Sequence, residues 1–173
     1  MNEFELLFTA EKAATEIRKL LEMDEEKSLN PEKLEEIIDR IQKHNNRYKI
    51  SEDLTNVFTF LNDGKIEIKY KKEAEEFEKF IYVIKSFCYG LIHYKEHEGK
   101  DTTIDEQEIL YDQKTTFLAR AFILPEKMFR REVCENSDVK GKVYIHEMSR
   151  KLKLPFRYLE KRGNSLRVWT PYN

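Results

Sequence analysis

Cysteine, proline and glycine are all scarce in this chain, at 2, 4 and 5 of 173 residues. The two cysteines, Cys88 and Cys134, cannot build a disulfide framework. Their apolar or mixed surroundings read as reduced thiols in a cytoplasmic protein. So little glycine and proline argues against a turn-rich β-sandwich and against a disordered Pro/Gly tail. A long apolar run is missing too: the longest, Phe80 to Tyr94, is interrupted by Lys85 and is too short to cross a bilayer, so no membrane contact is expected. The start, Met1-Asn2-Glu3-Phe4-Glu5, is acidic and lacks the basic-then-apolar order of a signal peptide. No phosphate loop, nucleophile elbow or cysteine metal motif is spelled in the chain.

What is present is 37% charged and 40% hydrophobic residue content, the composition of a helix-rich globular protein long enough to bury a core. The net charge of −2 is unevenly spread. From Glu126 onward there are 12 Lys and Arg against 6 Asp and Glu; before it, 19 against 27. A basic C-terminal third on an acidic body suits contact with something anionic, and suits a solvated basic face as well.

Apolar spacing places the elements. Residues 5–22 carry Phe8, Ala14, Ile17, Leu20 and Leu21 at helical intervals. Asn30-Pro31-Glu32 opens a second helix with Leu34, Ile37, Ile38 and Ile41 on one face. Val57 to Leu61, the turn signal Asn62-Asp63-Gly64 and the alternation from Ile66 to Tyr70 predict a hairpin with one wet face. A long helix follows from Lys72 to His97, then a polar loop over Glu98 to Thr103, a core helix from Glu106 to Leu124 and a short helix after Pro125. Val143 to Arg162 predicts two short helices broken at Leu154-Pro155. A turn at Gly163-Asn164 and a strand over Leu166 to Trp169 complete the order of a helix-turn-helix or winged element.

The stretch Phe117 to Pro125, followed by Glu126-Lys127 and Phe129, carries the most specific signal. Small and large apolar residues alternate at helical spacing, Ala119 and Ala121 leave room for a neighbour to approach closely, and Pro125 stops the helix. It resembles the FA-x-x-LLMP-E helix of the ImmA/IrrE family of zinc metallopeptidases. The order of hairpin, long helix, loop, this helix and the Val143-to-Arg162 segment is similar to that family across residues 60–165. The family's long helix carries F-T-I-A-H-E-L-G-H-x-L-L-H. Two His at i and i+4 share a helical face and bind zinc, and the Glu after the first His is the general base on the zinc-bound water.

Laid on Tyr82 to Ile92, that pattern puts the His positions on Ser86 and Gly90 and the base on Phe87; the third, acidic ligand falls at Lys114. Ser, Gly and Lys cannot together hold zinc, and Phe cannot take a proton. The resemblance therefore implies a metallopeptidase-like fold whose site is degenerate at Ser86, Phe87, Gly90 and Lys114, with no catalytic residue and no cofactor. A second register, His93-Tyr94-Lys95-Glu96-His97, places two His at i and i+4 and spells the inverted zincin order H-x-x-E-H. It would take zinc on His93 and His97 with Glu96 as base, and Glu106, Glu108 or Asp112 as third ligand. Two exposed His near a helix C-terminus account for the same spacing.

His146-Glu147 continues as Met148-Ser149-Arg150 and is not an H-E-x-x-H. Arg150, Lys151, Lys153, Arg157, Lys161 and Arg162 form a basic cluster with Phe156 and Tyr158 between them. The cluster suits contacts to phosphates or to a protein partner, or a solvated rim with Phe156 and Leu159 in the core beneath.

The expectation is an α+β protein, mostly helical. Residues 1–50 form an N-terminal helical extension, 51–134 a zincin-like, catalytically degenerate core with a small hairpin or sheet, and 135–173 a basic helical or winged segment. Members of the family act on helix-turn-helix repressors, so the resemblance implies regulation in a bacterium or a phage. A relative without catalytic residues would bind such a repressor, or a peptidase, as its protein partner, in the vacated cleft between the long helix and the Phe117–Pro125 helix. The alternatives are a zinc metallopeptidase acting through residues 93–97 and a DNA-binding regulator acting through the C-terminal segment.

Overall fold

The computed structural model describes residues 1–169 and is an α+β fold: helices around a four-stranded mixed sheet. The first helix, α1 (Glu3–Leu20), opens with a capping box: the Asn2 side chain accepts from the Glu5 N–H at 2.9 Å, and the Glu5 carboxylate accepts from the Asn2 N–H at 2.9 Å. Its buried stripe is Leu6, Ala10, Ala14 and Arg18, one residue per turn. Phe8 and Leu20, expected on the apolar face, lie off that stripe and are 66% and 72% exposed. A 3-10 turn (Pro31–Lys33), capped by Asn30, leads into α2 (Leu34–His44), which buries the stripe Leu34, Ile37, Ile38 and Ile41.

Strands β1 (Tyr48–Asp53), β2 (Val57–Phe60), β3 (Ile66–Lys71) and β4 (Thr102–Ile104) order as β1-β3-β2-β4. The predicted hairpin is β2 and β3, antiparallel with Phe58 opposite Ile68. Two strands are additions to it. β1 runs parallel to β3, and its outer side is covered in part by α2, where the Gln42 side chain accepts from the Ile50 N–H at 2.8 Å. β4 pairs with β2 where a polar loop was expected. A domain boundary between residues 50 and 51 would cut through β1. Tyr48, Ile50, Phe58, Phe60, Ile66, Ile68 and Tyr70 supply the buried face of the sheet.

Helix α3 (Glu76–His93) lies between that face and α5 (Gln113–Ile123), with α1 packed on α5 in turn. A helix covered on both sides needs apolar residues around most of its circumference. From Phe80 onward α3 meets this with Phe80, Val83, Ile84, Phe87, Cys88 and Tyr89, all buried. The α-helix stops at His93, and a 3-10 turn (Tyr94–His97) finishes the segment predicted as helical to His97.

The helix expected from Glu106 to Leu124 is two helices, α4 (Glu106–Tyr111) and α5. Asp112 breaks it because its carboxylate accepts from the Thr115 N–H at 2.9 Å and makes it the N-cap of α5. Three consecutive carbonyls at the other end of α5 would be orphans of helix termination. Arg18 donates to Phe122, the Leu29 N–H to Ile123 at 2.9 Å, and Arg162 to Leu124 at 2.7 Å. Two fully buried guanidinium groups thus close the negative end of the central helix.

After Pro125 come α6 (Glu126–Glu135), α7 (Ile145–Leu152) and α8 (Phe156–Leu166), with α7 and α8 separated at Leu154-Pro155 as predicted. The turn at Gly163-Asn164 and the strand over Leu166 to Trp169 do not form: α8 runs through both residues and ends at Arg167 in the left-handed conformation. The chain then folds back, and the Trp169 indole lies on Gly163, where a Cβ would meet the ring at 1.8 Å. The expected segment 135–173 extends beyond the described residues. Among these, no helix is long and apolar enough to cross a membrane.

Candidate functional site

The positions that the family's zinc motif would occupy are inside the core. Ser86 is fully buried and its Oγ has no hydrogen-bond partner among the described residues. Phe87, at the position of the general base, packs edge-on against Tyr48 with ring centroids 5.1 Å apart and against Phe122 of α5 at 6.1 Å. Gly90 is where the sheet reaches the helix. A Cβ there would lie 2.5 Å from the Tyr48 hydroxyl and 3.0 Å from Ile66 Cδ1. The Tyr48 hydroxyl donates to the Phe87 carbonyl at 3.0 Å, and burial pushes it well above the ordinary tyrosine value. Lys114 is exposed on the first turn of α5. The vacated cleft expected between α3 and the Phe117–Pro125 helix is therefore filled. Phe87 and Phe122 meet across it, and Ala119, Ala121 and Phe122 have no exposed surface.

The two histidines of H-x-x-E-H take different partners, because α3 ends inside the motif. His93 sits in the last turn, its ring against Tyr89 at 4.3 Å, with Nδ1 facing Glu96 at 3.1 Å and Nε2 facing Asp112 at 3.3 Å. His97, on the 3-10 turn, stacks flat on Phe60 at 4.4 Å and 11°. Of the candidate third ligands, Asp112 reaches His93, Glu106 accepts from the Asn56 amide at 2.7 Å, and Glu108 accepts from the Tyr89 hydroxyl. Burial pushes the Asp112 carboxyl up, but hydrogen bonds from Thr115 and the contact with His93 outweigh it and hold the group below its ordinary value. The same Glu108 contact, added to burial, raises the Tyr89 hydroxyl. Among the described residues no three His, Cys, Asp or Glu side chains converge in a way that could hold a metal ion.

The basic cluster disperses into separate ion pairs, one of them with the 3-10 turn near the N-terminus. Arg150 meets Glu147 at 2.5 Å, Lys151 meets Glu132 at 2.8 Å, and Lys153 meets Glu32 at 2.7 Å. Arg162, expected as a contact to an anion or partner, is fully buried and is spent on the Leu124 carbonyl and Glu11. Phe156, expected in the core, is 37% exposed, while Leu159 is fully buried as expected. Arg157 and Lys161 remain exposed.

Sequence reading missed two features with functional bearing. Phe4 and Phe8 stand 75% and 66% exposed on α1, beside a groove of about 370 Å³ shared with Leu7, Arg130 and Leu166. Lys85 of α3 and Arg120 of α5 lie half-buried without a carboxylate partner among the described residues, donating instead to Leu110 and Ser165. The only signal for the first was a pair of phenylalanines one turn apart in a charged segment. For the second it was a lone lysine inside an apolar run. The chain matches no protein-family model, curated protein or solved structure, and its own geometry carries the functional reading.

Proposed function

We propose that this chain is a regulatory, protein-binding module on an ImmA/IrrE-like scaffold, acting without peptidase chemistry or a resident cofactor on a bacterial or phage helix-turn-helix repressor. The observation that carries the reading is the Tyr48–Gly90 contact. The helix position where the family places its second zinc ligand is used here to admit a tyrosine from the sheet, so that any side chain larger than hydrogen would force Tyr48 to shift. A helix given over to packing in this way serves binding better than catalysis. With the α3–α5 cleft filled, the partner surface is assigned to the exposed phenylalanines of α1. Large apolar groups in water beside a groove favour a partner that covers them. The pairing of Arg150 and Lys153 with carboxylates, and the burial of Arg162, weigh against nucleic acid at the C-terminal segment.

The test uses untagged protein and a helix-turn-helix repressor from the same genome. Calorimetry should give saturable binding that Phe8→Glu abolishes, and the repressor should stay intact on a gel after incubation with zinc. Cleavage of the repressor, or about one bound zinc per chain lost on His93→Ala, would replace this reading with the peptidase. Absence of binding would end it.

A further inference from the structure

The junction of α3, α5 and α8 gathers Lys85, Arg120 and Lys161 from three helices, and among the described residues none of the three forms an ion pair with a carboxylate. Lys85 Nζ donates to the Leu110 carbonyl at 2.5 Å and to Thr116 Oγ1 at 3.2 Å. One turn along α5 from Thr116, Arg120 Nη1 reaches Ser165 Oγ at 3.5 Å. Ser165 in turn donates to the carbonyl of Lys161, one turn earlier on α8. The acidic groups around them are engaged by other residues: Asp112 by His93 and Thr115, and Glu11 by Arg162. Two buried polar groups at the junction have no partner among the described residues, Arg120 Nε and the Tyr158 hydroxyl, which lies close enough to Arg120 to feel its charge.

We propose that this junction binds a small oxyanion of the phosphate class, held by Lys85, Arg120 and Lys161 with the Tyr158 hydroxyl as a further donor. Three cations suit a dianion. A tetrahedral oxyanion also presents enough acceptor lone pairs to take hydrogen bonds from the ammonium groups, the guanidinium Nε–H and a hydroxyl together. A single carboxylate brings one negative charge to three cations, and its acceptor sites lie in one plane. The half-buried setting strengthens each contact relative to open water. Burial, followed by the charges of Arg120 and Lys161 and opposed by Cys88 and Asp112, drives the Lys85 ammonium down to about 8. The site stands independently of the repressor-binding reading, since it shares no residue with the α1 surface.

The experiment titrates inorganic phosphate into the full chain at pH 7.5 and fixed ionic strength, with chloride as the balancing control, and follows both melting temperature and heat. Phosphate should raise the melting temperature saturably where chloride does not. Lys161→Gln, an exposed change that leaves the fold alone, should weaken binding about tenfold, the scale of one charge-assisted hydrogen bond. Lys85→Met should do the same, with its circular dichroism confirming a folded chain. A nucleoside monophosphate that binds more tightly than phosphate would identify a phosphorylated metabolite as the source; equal or weaker binding would identify the free ion. Identical responses to phosphate and chloride, or phosphate binding unchanged in Lys161→Gln, would overturn the site.

Discussion

The Tyr48 hydroxyl and Gly90 are in such close contact that a single added carbon would sit 2.5 Å from the oxygen. Tyr48 cannot retreat cheaply, because it is buried and its hydroxyl is bonded to the Phe87 carbonyl. Gly90→Ala should therefore destabilise the protein by about 1–3 kcal/mol, the usual cost of overpacking. Tyr48→Phe alone should cost about 1 kcal/mol. The double variant should cost less than the sum, since removing the hydroxyl opens the space the methyl needs. Urea unfolding of the four proteins closes the cycle, and strict additivity would show that the two residues do not touch.

Arg18 holds carbonyls from two parts of the chain: Phe122 at the end of α5, and Asp24 and Lys27 in the loop after α1, at 2.5 and 2.6 Å. Burial lowers its guanidinium to about 10, still charged at neutral pH. Arg18→Met would keep much of the volume and leave those acceptors without donors. The expected loss is about 3 kcal/mol by chemical denaturation, and a loss below about 0.5 kcal/mol, the scale of an ordinary surface change, would mean that water replaces the arginine.

Lys85 makes stability depend on pH in a defined direction. Its folded value is about 8 against an ordinary 10.5, so between the two the unfolded chain holds a proton that the folded chain has released. Stability contributed by this group therefore rises with pH across that window. The Cys88 thiol, raised from 9.0 by burial, acts in the opposite sense at alkaline pH. Melting temperatures of wild type and Lys85→Met, compared from pH 7 to 10, isolate the lysine. The wild type should gain relative to the variant as pH rises, and parallel curves would contradict the burial of this ammonium.

Trp169 is the only tryptophan and reports directly on the end of α8. Its indole covers Gly163, meets the Phe129 ring at 5.9 Å and donates from Nε1 to the Asn164 side chain at 2.8 Å. Gly163→Ala should expel the ring and shift its fluorescence to the red. The melting temperature should change little, because alanine returns about 1 kcal/mol of helix propensity. Unshifted emission would place the tryptophan elsewhere.

What the sequence determined by itself was local. The Asn30 cap and the stripe of α2, the hairpin around Asn62-Asp63-Gly64, the stop at Pro125 and the break at Leu154-Pro155 depend on neighbours a few residues away, and all five are present. Side-chain identity alone also made Ser86, Phe87 and Gly90 unfit for zinc ligation. Tertiary structure decided the rest, because its causes are distant in the chain. β1 and β4 exist through hydrogen bonds to β3 and β2, and a parallel edge strand carries no turn signal of its own. Asp112 splits a continuous apolar pattern by capping a helix whose packing partners are α1 and α3. Arg18 and Arg162 are buried, against hydropathy, because the carbonyls that end α5 need donors, while Phe4 and Phe8 are exposed because they lie off the stripe of α1 that packs on α5.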